Sequence, residues 1–234
     1  MRYFLVIPAA GSGRRFSSQL PKQYAALAGS TVLELSLAPF EADGDCAGIV
    51  VAIATDDEHW ASIAVRRTRH LQVTAGGEQR VHSVRNALEL LVPLASDDDW
   101  VMVHDAARPC FSSADLAALK QELASQEVGG LLAVPLADTL KRAGDSQPAE
   151  VTATLDRSGL WRAATPQVFR FGPLRRALDS ALSVNRIPTD EAQAMEWAGH
   201  RPRLIAGRAD NIKITTADDL ALAAAILKLR LEHN

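Results

Sequence analysis

The sequence predicts an α/β protein with a Rossmann-like, doubly wound, mostly parallel sheet and a protruding β-hairpin arm. Three observations carry that expectation. Short apolar runs alternate with helical patterns along most of the chain. The runs are apolar at consecutive positions rather than at every second one, as suits strands covered on both faces. One segment, 138–163, breaks the alternation with two short β-like pieces around a turn rich in Gly, Asp, Ser and Pro.

Taken in order, "YFLVIP" (3–8) reads as the first buried strand and "TVLELSLAPF" (31–40) as the first helix. Strands follow at "GIVVAIA" (48–54) and "LQVTA" (71–75), then a helix at "QRVHSVRNALELL" (79–91). "WVMVHDA" (100–106) is a strand, "SADLAALKQELAS" (113–125) a helix and "GGLLAVP" (129–135) a strand. Strand–helix alternation of this kind implies right-handed crossovers in a parallel sheet. The hairpin segment holds too few apolar residues to pack against its own body, and an isolated hairpin is marginal in water. It is expected to be an arm, within 138–160, that reaches across a neighbouring subunit; a surface loop is the alternative. Helices are expected at 171–184, 190–198 and 216–231. The last has a start signal, Thr215-x-x-Asp218, and "PTDEA" (188–192) reads as a helix start with Thr189 as its cap.

The 234 residues suit one sizeable core. Nearly half are apolar and the formal net charge is −3, so binding to nucleic acid through bulk charge is not expected. Cys46 and Cys110 form no CxxC pattern, which argues against a zinc site or a disulfide framework and fits a reducing compartment. "MRYFLVIPAAG" is not a signal-peptide pattern, and no apolar run is long enough to cross a bilayer. The expected location is the cytoplasm, with no membrane partner.

The stretch after the first strand, "PAAGSGRRFSSQLPKQY" (8–24), places Arg14, Arg15 and Lys22 around a glycine turn. It is not a Walker A loop, and Gly11 and Gly13 lack the third glycine of a dinucleotide fingerprint. The physical logic of those motifs remains. Glycines after a strand let backbone N–H groups approach an anion, and the loop lies at the carboxyl end of a strand, where open α/β sheets bind ligands. The added cations suit a triphosphate; a plain turn with solvated arginines is the alternative. "HDAARP" (104–109) puts Asp105 just past a strand, where it can hold a divalent metal or simply close a turn. "GGEQRVHSV" (76–84) offers backbone amides and Ser83 to a base, or is an ordinary helix start. "RADNIKIT" (208–215) sets Lys213 near Asp210, as a site or as a charged connector. Four polar clusters at the ends of successive strands point jointly to one site.

These residues resemble a known family. "PAAGSGRRF…PKQY", "GGEQRVHSV", "VHDAARP", "DTLKR", "DRSGLWRAATPQ", "TDEA" and "GRADNIKIT" are similar to the 2-C-methyl-D-erythritol 4-phosphate cytidylyltransferases, in the family's order from Pro8 to Thr215. The resemblance implies one nucleotidyltransferase domain over 1–234, a homodimer with active sites shared through the arm, and a requirement for Mg2+. It implies transfer of CMP from CTP to methylerythritol phosphate. The backbone of Ala9, Ala10, Gly11 and Gly13 is then expected to cradle the triphosphate, with Arg15 and Lys22 stabilising charge on the α-phosphate and the leaving pyrophosphate. Asp105 is expected to support magnesium, with Asp210 a weaker candidate. Gly77, Glu78 and Ser83 would recognise cytosine, and Arg80 would support their loop. Arg157, Thr139 and Lys213 are implied on the acceptor, with Arg108, Thr165 and Thr189 beside them. The acceptor is a phosphate monoester with a second pKa of roughly 6, so its attack needs no general base. His104 either orients Asp105 or is a satisfied strand-end histidine. Three rivals stand beside this reading: a ribitol 5-phosphate cytidylyltransferase, a non-catalytic CTP-binding regulator, and a nicotinamide oxidoreductase, which the missing glycine disfavours.

Overall fold

In the first strand, β1 (Tyr3–Pro8), alternate side chains go to opposite sides of the sheet. Tyr3, Leu5 and Ile7 join one buried cluster, while Phe4 and Val6 join another. A strand apolar at every position therefore fills two cores at once, and helices must cover both faces. The structure is a computed structural model, and it describes residues 1–11, 16, 20–63, 70–145 and 147–232.

After β1 come a 3-10 turn at Lys22–Tyr24 and a two-stranded ribbon, β2 (Ala26–Leu27) and β3 (Ser30–Thr31). Helix α1 (Val32–Glu41) starts on a capping box, in which Thr31 Oγ1 accepts from the Glu34 N–H and Glu34 accepts from the Thr31 N–H. Then follow β4 (Cys46–Ile53), β5 (Leu71–Ala75), α2 (Arg80–Leu91), β6 (Trp100–Val103) and α3 (Ser113–Leu123). Ser112 and Asp115 form a second capping box for α3. The remaining elements are β7 (Gly129–Pro135), β8 (Leu140–Ala143), β9 (Val151–Leu155), β10 (Trp161–Arg170), α4 (Phe171–Ser183), α5 (Glu191–Trp197), β11 (Arg203–Ala206) and α6 (Ala217–Glu232).

The main sheet has the order β11-β7-β10-β6-β1-β4-β5. β1 pairs in parallel with β4 and β6, and β4 with β5. This half is doubly wound, and the order reverses at β1, so a crevice forms at the carboxyl ends of β1 and β6. The other half differs from expectation. β10 lies antiparallel between β6 and β7, and β11 adds an edge in parallel with β7. The sequence reading ends its hairpin at residue 163, inside β10, and does not foresee β11. Pro166 and the polar Thr165 and Gln167 conceal β10, which shifts register between Ala163 and Gln167. The strand expected over 100–106 ends at Val103, because 104–108 turns to close the site.

Two helix starts also shift by a residue. Asp190, not Thr189, caps α5, its carboxylate accepting from the Gln193 N–H at 2.9 Å. At α6, Asp219 rather than Asp218 accepts from the N–H groups of Thr215 and Thr216, at 2.8 Å each. The expected hairpin is present as β8–β9, a sheet separate from the main one. No described residue of 138–160 is buried. No helix among the described residues is long and apolar enough to cross a membrane.

Where β7 passes β10, Gly129 has φ +112°, and a Cβ there would collide with the Val168 carbonyl oxygen. Gly129→Ala should cost about 1–3 kcal/mol. Thermal unfolding should show the midpoint lowered by several degrees, clearly more than for Gly159→Ala, whose Cβ would meet open space. The Gly159 site has φ +73°, so that control isolates the collision from the backbone cost.

Candidate active site

A cavity of about 500 Å³ opens at the carboxyl ends of β1 and β6. Its floor is Pro8, Ala9, Ala10 and Gly11 from the loop after β1, with Asp105, Ala106 and Ala107 from the turn after β6. One wall is Gly77, Glu78, Gln79, Arg80 and Ser83 at the start of α2; Lys22, Gln23 and Lys213 complete the rim.

Local interactions hold each wall. Gln23, buried, donates through Nε2 to the carbonyls of Ala9 (2.7 Å) and Gly11 (3.3 Å), which fixes the path of the first loop. Lys22 Nζ donates to the Ile214 carbonyl at 2.6 Å, joining that loop to the segment carrying Lys213. A Cβ at Gly76 would collide with the Ala10 methyl, so glycine is what allows the two loops to touch. The Gly77 N–H donates to Ser83 Oγ at 3.1 Å, folding the second loop onto the first turn of α2.

Asp105 is the electrostatic centre. Its Oδ1 accepts from Arg80 Nε at 3.2 Å, and its Oδ2 meets Arg108 Nε at 3.3 Å and Lys213 Nζ at 2.9 Å. Burial alone would raise this carboxyl, but Arg80, Lys213 and Arg108 outweigh it and hold Asp105 far below the usual carboxylate range. Arg80 in turn forms a two-pronged pair with Glu191, Nη1 to Oε1 at 2.6 Å and Nη2 to Oε2 at 3.0 Å. Burial lowers Arg80, yet Glu191 and then Asp105 more than offset it and keep the guanidinium charged. Lys22, Arg80, Arg108 and Lys213 thus stand against three carboxylates, Glu78, Asp105 and Glu191. The excess is positive, as a polyanionic ligand requires.

The backbone of Asp105 is tied separately. Its N–H donates to Thr165 Oγ1 at 3.0 Å, and that hydroxyl lies 3.1 Å from His104 Nδ1. His104 Nε2 faces the Arg108 carbonyl at 3.4 Å. A neutral ring has one N–H, which the carbonyl must receive, so the Thr165 hydroxyl donates to Nδ1. Burial pushes His104 down to about 3, which keeps the ring neutral. His104 therefore orients Asp105 through Thr165, and among the described residues no histidine lines the cavity.

Of the residues expected from sequence, the cavity gathers Ala9, Ala10, Gly11, Lys22, Gly77, Glu78, Arg80, Ser83, Asp105 and Lys213. Gly13 and Arg15 lie outside the described residues. Thr139 and Arg157 sit exposed on the arm, and Thr189 is exposed before α5; none of the three lines the cavity. Thr165, buried, and Arg108, partly buried, support Asp105 and do not line the cavity; Arg108 also donates to the Asn211 carbonyl at 2.8 Å. Asp210 departs most from expectation. Its carboxylate is taken by Arg208 (2.7 Å) and Arg230 (2.8 Å), which hold its pKa at about 2, and it does not line the cavity. Sequence reasoning misses Gln23, Glu191 and the His104–Thr165 tie. Gln23 and Glu191 stand inside quoted motifs, "PKQY" and "TDEA", but only their distant partners reveal what they do.

Thr165→Val would leave the Asp105 N–H and His104 Nδ1 buried and unsatisfied, at a cost of about 1–3 kcal/mol. Thermal unfolding should show that loss, and Thr165→Ser, which keeps the hydroxyl, should recover most of it.

Comparison with known proteins agrees with this geometry. The model of the 2-C-methyl-D-erythritol 4-phosphate cytidylyltransferase family matches residues 3–229. A protein of that name from Pseudomonas entomophila is 52% identical over 219 residues, which cover 93% of this chain and 92% of that one. The crystal structure of the Francisella tularensis 2-C-methyl-D-erythritol 4-phosphate cytidylyltransferase superposes with a TM-score of 0.83 at 37% identity, covering 97% of this chain and 100% of that one. A crystal structure of a 4-diphosphocytidyl-2C-methyl-D-erythritol synthase gives the same TM-score at 38% identity, covering 97% and 98%. A chain matched from end to end, with its cations gathered at the crevice where such folds bind ligands, belongs to the 2-C-methyl-D-erythritol 4-phosphate cytidylyltransferase family.

Proposed function

We propose that the protein transfers CMP from CTP to 2-C-methyl-D-erythritol 4-phosphate, giving 4-diphosphocytidyl-2-C-methyl-D-erythritol and pyrophosphate, in the cytoplasmic synthesis of isoprenoid precursors. The observation that carries this reading is the convergence of Lys22, Arg80 and Lys213 on one cavity around Asp105, which Arg108 also holds, in a chain of this family.

The chemistry follows from charge. A phosphate oxygen of the acceptor attacks the α-phosphorus of CTP. The new P–O bond forms as the bond to the β-phosphate's bridging oxygen breaks, and the electron pair leaves with pyrophosphate. The acceptor is already an anion, so the protein's task is to bring like charges together and to neutralise what develops. The first loop and Lys22, with Arg15, act on the triphosphate. Lys213 lies between Asp105 and the segment that Lys22 holds, placed to meet the acceptor phosphate. The α2 wall of Gly77, Glu78 and Ser83 reads the base.

Magnesium fits the residues present in one way only. Among the described residues, no three His, Cys, Asp or Glu side chains could cage a metal. Asp105 is a single buried carboxylate facing the cavity, which suits an ion that takes most of its ligands from phosphate oxygens and water. When bound, magnesium would neutralise triphosphate charge, with Asp105, which lines the cavity, as its protein partner in place of one of the cations now on it; Asp210 does not line the cavity.

The exposed arm carries Thr139 and Arg157, and we assign both to the acceptor site of a second subunit. A homodimer with two composite sites accounts for an arm whose described residues have no buried member.

A pyrophosphate-release assay tests the reaction, with CTP, magnesium and either methylerythritol phosphate or ribitol 5-phosphate. Release with the former alone is expected; release with ribitol phosphate alone would overturn the acceptor, and silence with both would favour a CTP-binding regulator. Lys22→Ala should lower turnover about 10²–10³-fold, and near-normal turnover would remove Lys22 from the machinery. Mixing Lys22→Ala with Arg157→Ala should restore part of the activity once subunits exchange. No recovery after demonstrated exchange would place each site within one chain.

A further inference from the structure

The Glu191 carboxylate is buried, with 1% exposure, at the first position of α5, beside a cavity proposed to take a triphosphate. Its charge there opposes an anionic ligand, and burying it carries a desolvation cost. Its geometry offsets both. Two oxygens span Nη1 and Nη2 of Arg80, and the third edge of the guanidinium, Nε, is left to Asp105 Oδ1. Arg80 has further N–H groups, and its side chain is partly exposed in the cavity wall.

The chain on either side of Glu191 is held from behind. Gln167, on β10, donates through Nε2 to Asp190 Oδ2 (2.9 Å) and accepts from the Ala192 N–H (2.8 Å). Glu191 therefore sits between two residues bolted to the central sheet. The pair it makes bridges 111 residues of sequence and joins α5 to the first turn of α2, two residues after Glu78. Without Glu191, the only anion left to Arg80 in this arrangement is Asp105. Arg80 would then compete with Arg108 and Lys213, which already hold Oδ2.

We propose that Glu191 is a positioning residue for nucleotide recognition: it turns Arg80 so that the α2 wall keeps its shape against CTP and Asp105 keeps Oδ2 for Lys213 and Arg108. The role rests on the cytidylyltransferase reading, in which that wall faces the base. It differs from a general field effect in sign. As a charge alone, Glu191 repels CTP, and its neutralisation would tighten binding. As a positioning residue, its neutralisation weakens binding.

The test is Glu191→Gln, read by calorimetric titration with CTP and by steady-state kinetics with CTP and UTP, in wild-type and Arg80→Ala backgrounds. CTP affinity is expected to fall about 100-fold, the size of effect that small misplacement of a binding group produces. The preference for CTP over UTP should fall with it, while the acceptor KM changes less than the affinity for CTP. In the Arg80→Ala background the same substitution should add less than about twofold, since the two residues act as one unit. Unchanged or tighter CTP binding would overturn the proposal, as would a full additional loss in the Arg80→Ala background. An equal drop in kcat for both nucleotides with KM values unchanged would reduce Glu191 to a structural role and also overturn it. If Glu191→Gln does not fold, Glu191→Asp keeps the charge but is one methylene too short to reach Arg80 from the same place. It should still weaken CTP, and unaltered affinity would overturn the proposal. Wild-type protein that binds no CTP would sink the proposed reaction and this role together; a normal wild type with an unaffected variant would sink this role alone.

Discussion

The arrangement depends on a single carboxylate placed where burial should forbid it. Asp105 is 6% exposed and remains ionised only because three cations reach it. They come from the start of α2, from the turn that carries Asp105, and from the connector before α6. None of those segments can move independently without stranding a buried charge. The same ion pairs that satisfy Asp105 therefore bring the cavity walls together, and the site is organised before any ligand arrives. That is the condition under which fixed charges stabilise a developing one.

The antiparallel strand β10 gives this centre its support. Thr165 reaches the backbone of Asp105 and the ring of His104, and Gln167 reaches the first turn of α5. Two polar residues, both buried on a strand between two others, are costly unless every donor and acceptor finds a partner. Here they do, and the partners are the elements that carry Asp105 and Glu191. β10 thus replaces what would be apolar packing with directional bonds, and directional bonds specify position more sharply than apolar contact does. The opening loop is held by a different device. Gln23 clasps the carbonyls of Ala9 and Gly11, which fixes the chain as it leaves β1, and Lys22 is fastened to the far connector.

Much of the frame was legible in the amino-acid order because its causes are local. Continuous apolar runs made β1, β4, β6 and β7, helix caps made α1 and α3, and a polar, Gly- and Pro-containing stretch made the β8–β9 hairpin. The motifs after β1, β5 and β6 also named most of the cavity lining, since loops at strand ends must meet in a parallel sheet. β10 escaped because Thr165, Pro166 and Gln167 contradict the pattern of a buried strand, and their burial is justified only by partners tens of residues away. β11 escaped because "RLIA" is too short to stand out.

The sequence by itself determined the fold class, the strand–helix alternation as far as β7, the hairpin after it and the family. Each of these follows from periodicity, glycine placement or short motifs, whose physics acts over a few residues. Only the tertiary structure decided what each charge does. It gave Asp210 to Arg208 and Arg230, turned Thr165 and Arg108 inward onto Asp105, and joined Glu191 to Arg80. Ion pairs and buried hydrogen bonds depend on distance in space and on desolvation, and neither quantity exists until the chain has folded.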